Sequence, residues 1–212
     1  LMRGGKILWL IDQINVDMDS LQGKDFYMAE ARDLNIDDML FQYGIRINDD
    51  LILDLQNTRL EVQTGLLNNQ AQTQWFNWPY FNLMIGNNKH PISRNLAPIA
   101  GRFSSTLDTI KSVNIKKEIL LSSSNYSKAL FAPARVFIGM VKDPMDPSLF
   151  TQKELPTAVA LSGEFPSIFR NRAFTGAYAA MIDTVEGLKF RETSVSGAKM
   201  IVVSDGDLIA NE

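Results

Sequence analysis

The sequence predicts one α/β domain, a sheet carrying helices with a β-rich excursion, and three observations predict it. Ile7-Leu8-Trp9-Leu10-Ile11 is a five-residue apolar run between a Gly-Gly pair and Asp12. It is too short for a helix and lacks polar alternation, which marks a central strand buried on both faces. A helical pattern near residue 40 runs straight into two short apolar strands, the order of a βαβ-like unit. Near the end, Lys199-Met200-Ile201-Val202-Val203-Ser204 is a second apolar strand, after which Asp205-Gly206-Asp207 opens a helix.

The elements follow in order. Asn35 is the expected N-cap, Asp37 and Asp38 favour a first helical turn, and Ile36, Met39, Leu40 and Tyr43 recur at helical spacing before Gly44 stops the helix. Ile45-Arg46-Ile47 and Leu51-Ile52-Leu53 then read as strands. Thr58 to Gln74 is rich in Asn and Gln and reads as a loop or excursion at the sheet edge. Trp75, Phe76, Trp78, Tyr80 and Phe81 crowd around Pro79; without basic neighbours to hold a nucleic acid they read as core packing. Further strands are expected over 102–110, 119–122, 136–141 and 157–161. Two Asp-Pro turns interrupt 142–147. Gly163 to Arg172 reads as an amphipathic, partly basic surface excursion.

Composition narrows the function classes. Of 212 residues, 45% are hydrophobic and 21% charged, with 21 basic against 24 acidic residues and a net charge of −3. That is the balance of a folded globular chain, and scattered Lys and Arg argue against a nucleic-acid partner. With 0 cysteines there is no disulfide, thiolate nucleophile or cysteine-held metal. A single histidine, His90, leaves one base for any Ser-His-Asp triad. No apolar run reaches the roughly 18 to 20 residues of a membrane span.

The best-placed polar groups are Asp12 after the first strand and Asp205 and Asp207 after the last. Acids at the carboxyl ends of neighbouring strands would meet in a ligand crevice, where they can hold Mg²⁺ or Ca²⁺ or serve as a general acid/base pair. Asp at a strand-to-helix junction is equally a cap or turn former. Ser122-Ser123-Ser124 lacks the Gly-x-Ser-x-Gly pattern of a nucleophile elbow. Arg3-Gly4-Gly5-Lys6 precedes its strand, whereas a phosphate loop follows one. No cofactor or metal is therefore expected, and the chain reads as non-enzymatic.

The order of several segments carries a family resemblance. Gly4-Gly5-Lys6 with the first strand and Asp12, Asp38-Met39-Leu40-Phe41-Gln42-Tyr43-Gly44-Ile45 leading to Asn48-Asp49-Asp50-Leu51, Asn82-Leu83-Met84-Ile85, His90-Pro91-Ile92, Leu161-Ser162-Gly163-Glu164-Phe165-Pro166-Ser167 and 197–207 together resemble the GldG family, auxiliary subunits of gliding-motility ABC transporters. The strand, helix and Tyr-Gly-Ile pattern is also similar to the N-terminal domain of an intraflagellar-transport protein. The resemblance implies a Rossmann-like three-layer sheet related to class I glutamine amidotransferases, whose cysteine nucleophile this chain lacks. It further implies an extracytoplasmic domain on the periplasmic side of the bacterial inner membrane, tied to the membrane by segments outside this sequence. Its partners would be the ABC permease and ATPase subunits, and its role gliding motility or export. Family members begin upstream of Leu1, so an open sheet edge and self-association are expected.

Two surfaces follow as candidates. Phe165, Ile168, Phe169, Arg170 and Arg172 combine apolar anchors with arginine, as a partner surface does. Asp12, Asp205 and Asp207 form the candidate crevice for a small molecule or polysaccharide, the alternative reading, with a metal-dependent hydrolase as a third.

Overall fold

The apolar run at the start does form a strand, but its surroundings differ from those expected. The computed structural model describes residues 1–67, 70–143, 145–172, 175–176, 179, 181 and 189–210. In chain order it contains β1 (Lys6–Leu10), β2 (Ile14–Asn15), helix α1 (Met18–Leu21), β3 (Tyr27–Ala31), helix α2 (Asp37–Tyr43), β4 (Ile45–Ile47) and β5 (Asp50–Asp54). The long hairpin β6 (Asn57–Leu67) and β7 (Gln70–Gly86) follows, then β8 (Ile99–Ala100), β9 (Leu107–Thr109), β10 (Ile115–Ser122), β11 (Ser127–Phe131) and β12 (Ala134–Val136). The last strands are β13 (Pro156–Gly163) and β14 (Lys199–Val203).

The fold is mostly β, which overturns the expected Rossmann-like α/β three-layer architecture. A seven-stranded sheet runs β1-β14-β13-β10-β7-β6, with β8 beside β7, and three small sheets pair β11 with β5, β3 with β12 on one side and β2 on the other, and β4 with β9. Among the described residues β1 and β14 form the parallel pair and all other pairings are antiparallel. The strands after α2 therefore make no βαβ unit: β4 leaves to pair with β9, and β5 with β11. Short apolar strands after a helix have the same pattern whichever partner they find, so the periodicity was silent on that choice. β1 is also an edge strand, and Leu8 is 58% exposed.

Two local corrections have clear causes. The 58–74 region is a hairpin, because Thr58, Leu60 and Val62 are half-buried while Arg59, Glu61 and Gln63 are exposed, a period of two hidden among polar residues. Pro79 is tolerated inside β7 because pairing jumps from Arg59↔Asn77 to Asn57↔Asn82 and leaves it in the gap, where no ladder donor is needed. The helix begins one residue later than expected: Asn35 has φ 55, and Ile36 takes the N-cap position without a side-chain bond. Its end is as the sequence predicts. Gly44 has φ 84, donates to Leu40 and Phe41 carbonyls, and a Cβ there would meet the Ile110 carbonyl at 2.6 Å.

The core has three parts. On one face of β1, β14 and β13, Val202, Met200, Val159 and Leu161 pack under Leu40 and Tyr43 of α2. The aromatic segment forms the second, with Trp78, Tyr80 and Phe81 buried against Phe103, Leu51 and Leu53, while Trp75 is exposed. On the opposite sheet face a smaller group gathers Met84, Leu120, Leu121, Ala158 and Val203. At about 1.5 to 3 kcal/mol per fully buried aliphatic or Phe side chain, the first two groups supply most of the burial free energy.

Candidate functional site

Parallel pairing makes β1 and β14 end side by side, so the acids that follow them do meet. The Asp12 carboxylate accepts the Gly206 N–H at 2.6 Å, and a Cβ on Gly206 would collide with that carboxylate. Asp205 is fully buried. Its Oδ2 accepts the Arg102 N–H at 2.7 Å and the Ser104 hydroxyl at 3.0 Å, and its Oδ1 accepts the Asp207 N–H at 3.0 Å. Burial pushes its carboxyl up to about 6, with the nearby Asp12 and Asp207 charges adding to the rise and the bonds from Arg102 and Ser104 opposing it. Asp207 is half-buried and starts a 3₁₀ turn at Asp207–Ile209. Asp205 thus faces the 102–104 loop, not a cavity. Among the described residues no group of three or more His, Asp or Glu is arranged to hold a metal ion.

Other buried carboxylates act in the same way. Asp50 accepts the Thr106 N–H and hydroxyl, each at 2.7 Å, and burial raises its carboxyl despite those two bonds. Asp54 accepts the Ser124 N–H at 2.7 Å and the Ser124 and Ser127 hydroxyls at 2.6 and 3.2 Å. Ser124 of the serine run therefore joins a buried network around Asp54, which Ser123 enters through the Ser127 hydroxyl, while Ser122 is half-buried. His90 lies elsewhere, with its Nε2 3.8 Å from Glu118 and its Nδ1 accepting the Ile92 N–H.

The 163–172 excursion divides in two. Phe165 is fully buried and meets Tyr43 edge-on at 5.2 Å, so it is a core residue and drops out of the candidate surface. Ile168, Phe169, Arg170 and Arg172 are exposed, and the Arg172 guanidinium lies 5.5 Å from the Phe169 ring.

Just past Asp12 the chain builds a cleft that the sequence did not reveal. Two hollows of about 380 and 390 Å³ share Arg32. The first is lined by Gln13, Arg32, Asp33, Asp37, Arg46 and Asp49, and the second runs along Trp9 to Asp12 beneath Leu34 and Ile36. Gln13 is only 4% exposed; its amide donates to Asp49 at 2.8 Å and to the Arg32 carbonyl at 3.3 Å. Its Oε1 and the Arg32 Nε are buried with no hydrogen-bond partner among the described residues. Burial and the charges of Asp49, Asp33 and Asp38 raise the Asp37 carboxyl. The one signal for Gln13 in the sequence is its place in the polar pair Asp12-Gln13 after the apolar run 7–11.

The structure thus defines a predominantly β domain whose buried acids brace loops and whose open polar groups gather beyond β1. Over residues 1–212 the chain matches the family described as an ABC-type uncharacterized transport system, and it belongs to that family of transporter auxiliary proteins. No curated protein and no solved structure matches it. Among the described residues no helix is long and apolar enough to cross a membrane.

Proposed function

We propose that the chain is a non-enzymatic, extracytoplasmic domain of an ABC transporter auxiliary subunit of the gliding-motility type, which recognises a protein partner or the transported substrate beside the permease and ATPase. The family match over the whole chain carries this reading. The buried bracing role of Asp50, Asp54 and Asp205 supports it, since those carboxylates are committed to backbone and hydroxyl donors. Copurification from membranes tests it: the tagged subunit should retain permease and ATPase, and loss of both under mild detergent defeats the proposal. Phe169→Ala with Arg172→Ala should weaken that retention; unchanged retention removes the 168–172 surface. Residues 1–212 contain no cysteine, which makes the location of this region directly testable. A cysteine placed at Val113, 83% exposed, should react with a membrane-impermeant maleimide applied from the periplasmic side, and protection there would refute the location.

A second reading is favoured by the cleft. Its lining sets Arg32 and Arg46 as donors beside Asp33, Asp37 and Asp49 as acceptors, and a hydroxyl both donates and accepts. A small polyhydroxylated solute therefore suits the cleft, and Asp37→Ala, at an exposed lining residue, should abolish sugar-induced NMR shifts at 31–37 if it binds there.

A further inference from the structure

The register of the large sheet aligns residues that are far apart in the chain. Lys6 pairs with Lys199, Lys199 with Ser162, and Ser162 with Lys116, so one row across four strands carries three lysines. Two residues further along the same face, Leu8, Ile201, Ala160 and Glu118 form the next row. Because side chains alternate, both rows share the face opposite α2. Beyond them lies the small buried group with Val203 and Ala158.

Among the described residues, this face is covered at its Val203 end and open at its Leu8 end. Leu8 and Ile92 are 58% and 55% exposed, and with Ala160, Ile201 and Pro91 they line a largely apolar groove of about 570 Å³ rimmed by Lys6 and Lys199. Like charges placed directly opposite each other on neighbouring strands are destabilising. Glu118, the acid of these two rows, already bonds Lys116 at 2.8 Å. Lys6 and Lys199 form no ion pair among the described residues. Parallel strand pairs are ordinarily covered on both faces, usually by helices. At about 4.8 Å per strand the apolar row is about 14 Å wide, room for one helix of about 10 Å diameter. A second copy docked face to face would bring the same lysine row, and Glu118, the acid of that row pair among the described residues, is already bonded to Lys116.

We propose that this face seats an amphipathic α-helix from another polypeptide, with its apolar stripe on Leu8, Ile201 and Ile92 and acidic residues along the flank that meets Lys6 and Lys199. The inference stands on the sheet register and the groove, independently of the transporter reading.

The test uses the whole chain and a lactam-stapled peptide of about 15 residues, long enough to be helical, with leucines on one stripe and glutamates on one flank. Fluorescence anisotropy should show saturable binding, and a peptide with lysines in place of the glutamates should bind about tenfold weaker or worse. Leu8→Glu should weaken the acidic peptide about tenfold, since it sets a charge under the apolar stripe. Lys6→Glu with Lys199→Glu should reverse the preference between the two peptides. Leu8 is exposed, so its variant should keep the wild-type circular dichroism and melting profile, which separates lost binding from lost folding. Equal binding of both peptides overturns the proposal. So does sedimentation with phosphatidylglycerol vesicles that the acidic peptide cannot displace, or a dimer in solution that Leu8→Glu dissolves.

Discussion

The two faces of β1, β14 and β13 are built from interleaved residues of the same segments, yet they have opposite fates. Ile7, Trp9, Met200, Val202 and Leu161 point under α2 and are wholly or partly buried. Leu8, Ile201 and Ala160, their immediate neighbours, point to a groove, and the lysines beside them stand in solvent. Sequence composition barely separates the two sets, since both are aliphatic. What separates them is supply: α2 with Ile45, Leu107 and Phe165 covers one face, whereas on the other the described residues Met84, Leu120 and Leu208 cover the end at Ala158 and Val203 and leave Leu8 only the turn around His90 to Ile92. An apolar residue in a strand therefore reports a face that wants covering, and its cover can come from outside the chain.

The sharpest test of this contrast is a pair of truncations. Leu161→Ala on the covered face should cost about 2 to 5 kcal/mol in urea unfolding, whereas Leu8→Ala should stay within about 0.5 kcal/mol of wild type. Similar losses at both sites would mean that the second face is covered in solution. Next in size is Asp205, where the faces meet at the strand ends. Its carboxyl is raised to about 6 in the fold against an ordinary 3.8, so the folded state holds the proton more tightly than the unfolded chain. Its contribution is thus fully present below pH 4 and is lost as pH rises through 6, a change on the order of 3 kcal/mol. The difference in unfolding free energy between wild type and Asp205→Asn, followed from pH 4 to 7, should shrink by that order. A difference independent of pH would show that Asp205 is ionised throughout. The smallest effect probes the cover itself: Gly44→Ala, with φ 84 and a blocking carbonyl, should destabilise by more than about 1 kcal/mol, and a neutral result would show that the end of α2 relaxes freely.

Much of the strand content was legible, because runs such as 7–11, 157–161 and 199–203 are apolar, short and bounded by turn residues. Helix α2 was legible for the complementary reason, with Leu40 and Tyr43 in register and Gly44 as a stop. The pairing of strands was not, since β4 and β5 carry no mark of an antiparallel partner some 60 to 80 residues away. Nor was the hairpin at 57–86, where Leu60 and Val62 alternate with polar residues that are common in loops. At the site, Asp12 and Asp205 were found for a sound reason, the parallel ends of their strands. Burial then decided the role of Asp205, and one sequence shows no burial. Gln13 escaped notice because its meaning lies in one oxygen left without a donor, a property of packing alone.

The place of β14 in the sheet has a consequence in time. Lys199–Val203 inserts between β1 and β13, so among the described residues the first strand finds its partner in the last. On a ribosome adding roughly 5 to 20 residues per second, β1 waits roughly 10 to 40 s with its apolar run unpaired. During that interval the hairpin of β6 and β7 and the antiparallel pair of β10 and β13 can already form, since each closes within the chain made so far. Whatever shields Ile7 to Ile11 from other nascent chains during that wait contributes to the yield of this protein as directly as any residue of its finished core.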